Sequence, residues 1–136
     1  MMDEPEGQLT GPQFEIMQMI WDSPAGLSVA EVWELTCRQR EVSRTTILNL
    51  MDRLEKRGWL KRRKVDGVFR YKAMRDRETT EAALANDFVE DYFEGSPSGF
   101  LLSLLGSKKI SRKEVQRLRQ LLDEHSQPHG KKRGKQ

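Results

Sequence analysis

The sequence predicts a mainly α fold carrying one small β-hairpin, and three observations lead there. Serine or threonine capping sequences that open helices recur at Thr10, Ser28, Ser43 and Ser111. Asp66-Gly67 stands between two short runs whose side chains alternate in character. Finally, 136 residues with 36% apolar and 33% charged side chains suffice for one domain of ordinary size and an appendage, not for two domains with full cores.

Taken in order, Thr10-Gly-Pro-Gln13 is a capping box, with Leu9 and Phe14 in the positions of a hydrophobic staple. Phe14, Met17, Ile20 and Trp21 recur at helical spacing and predict a first helix of about three turns. Asp22-Ser-Pro-Ala-Gly26 ends it. Ser28-x-x-Glu31 is a second capping box, stapled by Leu27 and Val32, and its helix is expected to reach about Arg40 with Val32, Trp33 and Leu35 inward. Ser43 opens a third helix, flanked by Val42 and Ile47 in the staple positions, with a single stripe of Ile47, Leu50, Met51 and Leu54. Gly58, after Lys56-Arg57, is the expected left-handed cap. Leu60 to Val65 and Val68 to Ala73 then form the hairpin, in which Phe69, Tyr71 and Ala73 alternate with Val68, Arg70 and Lys72, so that one face packs on the helices. Three helices followed by a basic hairpin is the order of a winged helix-turn-helix, here over residues 9–75.

Beyond Met74 the pattern is helical again. Residues 76–93 read as a long helix with Ala85, Phe88, Val89, Tyr92 and Phe93 on one side. Gly95-Ser-Pro-Ser-Gly99 breaks it, 100–105 is a short apolar segment closed by Gly106, and Ser111-x-x-Glu114, stapled by Ile110 and Val115, opens a last helix carrying Leu118, Leu121 and Leu122 to about Glu124. Residues 126–136 are expected to be a disordered basic tail. The apolar surface of 82–122 exceeds what a lone appendage buries, so these helices either fold back on the winged helix or pair with a second copy. Pairing is the expectation, because readers of this type combine two half-sites. It makes 76–125 a helical dimerisation domain, with Phe88, Val89, Tyr92, Phe93, Leu101, Leu104, Leu105, Leu118, Leu121 and Leu122 at the seam.

No stretch approaches the ~18 apolar residues of a membrane span, and the acidic start, Met1-Met2-Asp3-Glu4-Pro5-Glu6, has no apolar run for a secretory signal. Cys37 is the lone cysteine, read as a half-buried inert thiol; His125 and His129 have no third ligand near them. A reduced cytoplasmic protein without membrane insertion, metal or cofactor is therefore expected. No Gly-rich phosphate loop, paired carboxylates or Ser/His/Asp set can be assembled, which argues against an enzyme.

Charge points to the partner. Residues 1–43 hold two basic and eight acidic side chains, net −6; residues 44–75 hold eleven and three, net +8; residues 76–94 hold one and seven, net −6. A basic band between acidic ones suits a polyanion, against the alternative of a merely solvated face. Projected at about 100° per residue, the third helix turns Thr45, Asn49, Asp52 and Lys56 away from its apolar stripe, with Thr46 and Arg53 beside them and Ser43 and Arg44 at its start as further candidate DNA contacts. Asn and Arg there match adenine and guanine in a major groove, and a Thr methyl matches thymine. Lys61, Arg62, Arg63, Lys64, Arg70 and Lys72 would lie along the adjacent backbone or minor groove, binding by counterion release. Two other classes fit the same fold: a winged helix that docks an acidic protein surface, and a ligand-sensing regulator with a pocket between the long helix and 100–105.

With these residues laid out, the sequence resembles the penicillinase repressor family, the repressors of β-lactamase and methicillin-resistance genes. The resemblance spans about residues 9–125 and is carried by Leu9-Thr-x-x-Gln-Phe-Glu-Ile-Met-Gln-Met-Ile-Trp21, Val29-Ala-Glu-Val32, Ser43-Arg-Thr-Thr-Ile47 with Leu54-Glu-Lys-Arg-Gly58, and Gly67-Val-Phe-Arg-Tyr71. It implies a dimer of winged helices joined by C-terminal helices and bound to a two-fold related double-stranded DNA operator. It also implies DNA contact by Arg44, Thr45 and Thr46 at the start of the recognition helix, and backbone contact by Arg70. Members that answer β-lactams are cut in the C-terminal region after a membrane sensor-protease detects the drug. The equivalent place is Ser103-Leu104, where the family's cleaved pair is Asn–Phe. Copper-responsive relatives carry a cysteine-rich C-terminal motif, and Cys37 alone does not supply one.

Overall fold

The computed structural model describes residues 8–127. The elements are α1 (Gly11–Trp21), α2 (Val29–Cys37), α3 (Arg44–Lys56), β1 (Leu60–Val65), β2 (Val68–Ala73), α4 (Arg77–Tyr92), α5 (Pro97–Gly106) and α6 (Arg112–Ser126). The fold is mainly α with one antiparallel hairpin, the winged-helix order.

Local hydrogen bonds set the boundaries. Thr10 Oγ1 accepts from the Gln13 N–H (3.3 Å) and Gln13 Oε1 from the Thr10 N–H (3.1 Å). Ser28 and Glu31 close the same reciprocal pair at 3.2 and 2.9 Å. Ser43 and Ser111 each make one capping bond, from the N–H of Thr46 and of Glu114. The end of α3 is a complete Schellman motif: the Gly58 N–H reaches the Glu55 carbonyl (3.0 Å), the Trp59 N–H reaches the Leu54 carbonyl (2.9 Å), and Gly58 sits at φ +87°. That turn delivers Trp59 and Leu60 to the core. Asp66 (φ 52°) and Gly67 (φ 81°) make the two-residue hairpin turn.

Ile16, Met17 and Ile20 of α1, Val32 of α2, and Ile47, Met51 and Leu54 of α3 meet Leu27, Trp59, Leu60 and Tyr71 in one core. Leu27 adds a one-residue third strand on the free edge of β2: its N–H reaches the Tyr71 carbonyl (3.1 Å) and its carbonyl receives the Tyr71 N–H (2.8 Å). This pairing needs a glycine next door. Gly26 lies at φ +88°, and a Cβ there would stand 2.8 Å from the Tyr71 carbonyl oxygen. Gly26→Ala is therefore expected to destabilise the domain by about 2 kcal/mol or more, through left-handed strain plus the clash. A urea melt checks it, and an unchanged midpoint would contradict it.

Several expectations are corrected. α2 stops at Cys37, not near Arg40, because its last turn tightens (the Arg38 N–H reaches the Leu35 carbonyl and the Gln39 N–H that of Thr36) and Arg40 is drawn to Glu15 in a 2.8 Å ion pair. Cys37 is exposed rather than half-buried. Gly95-Ser-Pro-Ser-Gly99 does not merely break α4: Ser96 caps α5, accepting from the Gly99 N–H at 2.9 Å, and Pro97 opens it, so the apolar segment begins three residues before Phe100. Phe69, expected on the packed face of the wing, is 42% exposed: it pairs with Lys64 one step from the hairpin turn, and its ring is met by Arg62 and Lys64 of the wing. α6 runs to Ser126.

Asp76 caps α4. Hydrogen bonds from the Thr79 side chain and N–H hold its carboxyl below the usual carboxylate range. Since the folded value is the lower one, this stabilisation is present at neutral pH and is lost as pH falls through it. The first turn of α4 is pinned to α1 by Arg77, which bonds Asp22 at 3.0 Å and stacks over Trp21, while the Trp21 indole N–H donates to the Arg75 carbonyl.

The chain forms two compact units, the first ending at Ala85 and the second beginning at Asn86, so the division falls inside α4. In the second unit no described side chain is buried. Phe88, Tyr92, Phe93 and Phe100 form a ring cluster with centroids 4.9–6.0 Å apart, yet Tyr92 is 70% and Phe88 47% exposed. Leu102, absent from the sequence-based seam, is 73% exposed. No helix of the described residues is long and apolar enough to cross a membrane. From Pro128 onward the expected tail lies outside the described residues.

Candidate nucleic-acid interface

α3 buries Ile47, Met51 and Leu54 and turns the other side outward. Arg44, Thr45, Thr46, Asn49, Arg53 and Lys56 are all exposed, which joins the expected recognition residues on one helix. Two carry internal duties. Lys56 pairs with Asp52 one turn back at 3.2 Å, an exposed ion pair of little energetic weight. Thr46 meets Ser43 Oγ at 2.9 Å, and Ser43 itself is occupied as the helix cap. Among the described residues no ion pair is formed by Arg44 or Arg53. Leu48, which sequence reasoning passed over, is 46% exposed on the same side. Its position about 100° around from Ile47 was the available signal, and its methyls suit a thymine methyl.

The register of the hairpin sorts the wing cations. Lys61 opposes Lys72 and Arg63 opposes Arg70 on one face; Arg62 opposes Tyr71 and Lys64 opposes Phe69 on the other. On the second face Arg62 stacks over Phe69 (4.4 Å to the ring centroid) and pairs with Glu55 of α3 at 3.5 Å, while Lys64 approaches Phe69 at 5.4 Å. Exposed Phe69 is thus covered by two cations, and Arg62 ties the wing to the recognition helix. On the first face Lys61, Arg63 and Lys72 are exposed and line, with Arg70, Ala25, Val65, Ala73 and Met74, an open groove of about 430 Å³. Like charges directly across a hairpin repel, and an anion laid along this face offsets the cost.

Arg70 behaves differently from the rest. Its Nη2 donates to the Gly26 carbonyl (2.9 Å) and to Glu31 Oε1 (3.1 Å), so its guanidinium is turned onto the start of α2 instead of toward solvent. Nothing in its sequence neighbourhood announces this, since both partners lie about forty positions away.

Trp33 donates its indole N–H to the Val42 carbonyl at 2.8 Å, bracing the turn between α2 and α3; it is a packing residue. No group of three or more His, Cys, Asp or Glu side chains among the described residues is placed to hold a metal ion.

A family model described as Penicillinase repressor matches residues 9–124. The methicillin resistance regulatory protein MecI of Mammaliicoccus sciuri is 25% identical over 122 residues, which cover 90% of this chain and 98% of that protein. The penicillinase repressor of Bacillus licheniformis is 26% identical over 118 residues, covering 87% and 91%. Among solved structures, a MarR family protein from Bacillus stearothermophilus superposes with a TM-score of 0.47 at 22% identity, covering 88% of this chain and 76% of its own.

Proposed function

Since the chain belongs to the penicillinase repressor family, we propose that it represses transcription by binding a two-fold related operator as a homodimer, in the cytoplasm. The observation that carries the reading is the pairing of an outward α3 face, with Arg44, Thr45, Asn49 and Arg53 exposed, and an adjacent wing whose Lys61, Arg63, Lys64 and Lys72 are exposed. In the major groove Asn49 and Arg53 read base edges and Thr45 a thymine methyl, while Arg44 and the free N–H groups at the start of α3 take phosphate. The wing cations follow the neighbouring backbone, and the second unit joins two copies through Phe88, Val89, Tyr92, Phe93 and the leucines of α5 and α6. Two copies hold two half-sites; one copy holds one weakly.

Release follows from damage to the second unit. Ser103 and Leu104 lie exposed within α5, and a cut there by a sensor-protease would divide the apolar helix and split the dimer. A helical bond must open locally before a protease accepts it, so cutting at this place is gated by the stability of α5.

Fluorescence anisotropy tests the binding. The full chain is titrated onto the DNA upstream of its own gene and onto a scrambled duplex, at about 50 and 200 mM salt. Tight, salt-sensitive binding that prefers the native duplex is expected. Equal, weak binding to both duplexes would overturn the reading and favour a wing that docks an acidic protein.

A further inference from the structure

We propose that Arg70 is a positioning residue for the wing and not a phosphate contact: with Glu31 and the Gly26 carbonyl it fixes the angle at which the hairpin stands to the recognition helix. The inference rests on the DNA-binding reading above and concerns which wing cations meet the backbone.

Three features converge on this point. Arg70 Nη2 is shared between a backbone carbonyl and a carboxylate, both within 3.1 Å, and its side chain is 28% exposed although it stands on the solvent face of a two-stranded wing. Glu31 is held on its own account, because the same Oε1 accepts the Ser28 N–H of the α2 capping box at 2.9 Å. The anchor is therefore a fixed atom of a helix start and not a mobile surface carboxylate. The residues on either side complete the joint: Tyr71, next to Arg70, exchanges two backbone bonds with Leu27, next to Gly26. The wing is thereby clamped to the segment that leads into α2, and α2 packs on α3. On the other face Arg62 ties the wing to α3 through Glu55 at 3.5 Å. A hairpin held from both faces presents Lys61, Arg63, Lys64 and Lys72 at a set distance from the helix that reads the bases.

A cation spent on Glu31 releases no counterion from DNA, whereas a phosphate contact adds about 0.9 to the slope of log affinity against log salt. That difference is the test. Wild type, Arg70→Gln, Arg70→Lys, Glu31→Gln and the double variant Arg70→Gln/Glu31→Gln are titrated, as full chains, onto the upstream duplex over a range of salt, with a thermal melt of each. Glu31→Gln keeps the capping acceptor while removing the charge.

Positioning predicts that both Gln variants lose about three- to tenfold in affinity for the native duplex, as suits a half-exposed ion pair. The salt slope stays unchanged, Arg70→Lys is no rescue because its ammonium falls one bond short of the Nη2 position that meets both acceptors, and the double variant is no worse than either single one. A slope reduced by about 1 in Arg70→Gln, with tighter binding by Glu31→Gln, would identify a phosphate contact and overturn the inference. Lowered melting temperatures with unchanged affinity for the native duplex would also overturn it, leaving Arg70 a stability residue only. If wild type itself shows no preference for the native duplex, it is the operator-binding reading that fails.

Discussion

Tyr92→Glu combined with Leu122→Glu is expected to turn the protein into a monomer at micromolar concentration, with operator affinity reduced about 100-fold or more as one half-site replaces two. Both side chains are open to solvent in the single chain, Tyr92 at 70% and Leu122 at 60%. Glutamate is a good helix former, so in an isolated chain the two changes cost α4 and α6 little. In the proposed dimer they would place unpaired carboxylates in a seam of Phe and Leu side chains, where burial penalises them. The sensitivity follows from how the second unit is made: no described side chain in it is buried, and its ring cluster of Phe88, Tyr92, Phe93 and Phe100 is open on one side. Sedimentation velocity reads the change directly, and a melt of the core that includes Tyr71 and Trp59 should not move. A double variant that still sediments as a dimer would place the seam elsewhere.

The second large effect separates base readout from backbone contact. Asn49→Ala should cost about 1–3 kcal/mol on the native operator and alter which base is preferred at one position of each half-site, since asparagine pairs bidentately with adenine. Its side chain is exposed on the helix face opposite Ile47, so the fold should be unaffected. Arg63→Gln should weaken every sequence alike and lower the salt slope by about 0.9 for each phosphate it no longer neutralises. Competition titrations over a panel of single-base variants distinguish the two. If both variants lose affinity uniformly, the division of labour between α3 and the wing is wrong.

The features legible in the sequence were the local ones. The Thr10–Gln13 and Ser28–Glu31 boxes, the Gly58 cap and the Asp66-Gly67 turn involve partners within a few positions, and their residue types are chemically specific. The apolar stripe of α3 was equally plain, because exposure there follows from the helical repeat alone. What escaped depends on how distant segments meet. Ile16, Gln13 and Thr36 are buried because α1 and α2 pack on α3 and the wing, which the spacing within each helix does not reveal. Phe69 is apolar and alternates in step with Tyr71, yet its ring is met by Arg62 and Lys64 of the wing and stays exposed. Arg62 and Arg70 sit in the same basic hairpin as Arg63, and only Glu55, Phe69, Glu31 and Gly26, all brought in by folding, tell them apart.

The measurement that bears most directly on the central claim is the mass of the complex in solution. Sedimentation of the full chain with increasing amounts of its upstream duplex should give two chains per duplex, formed at salt concentrations where a scrambled duplex sediments free. A complex of one chain per duplex, or co-sedimentation with both duplexes alike, would contradict a dimer that reads two half-sites.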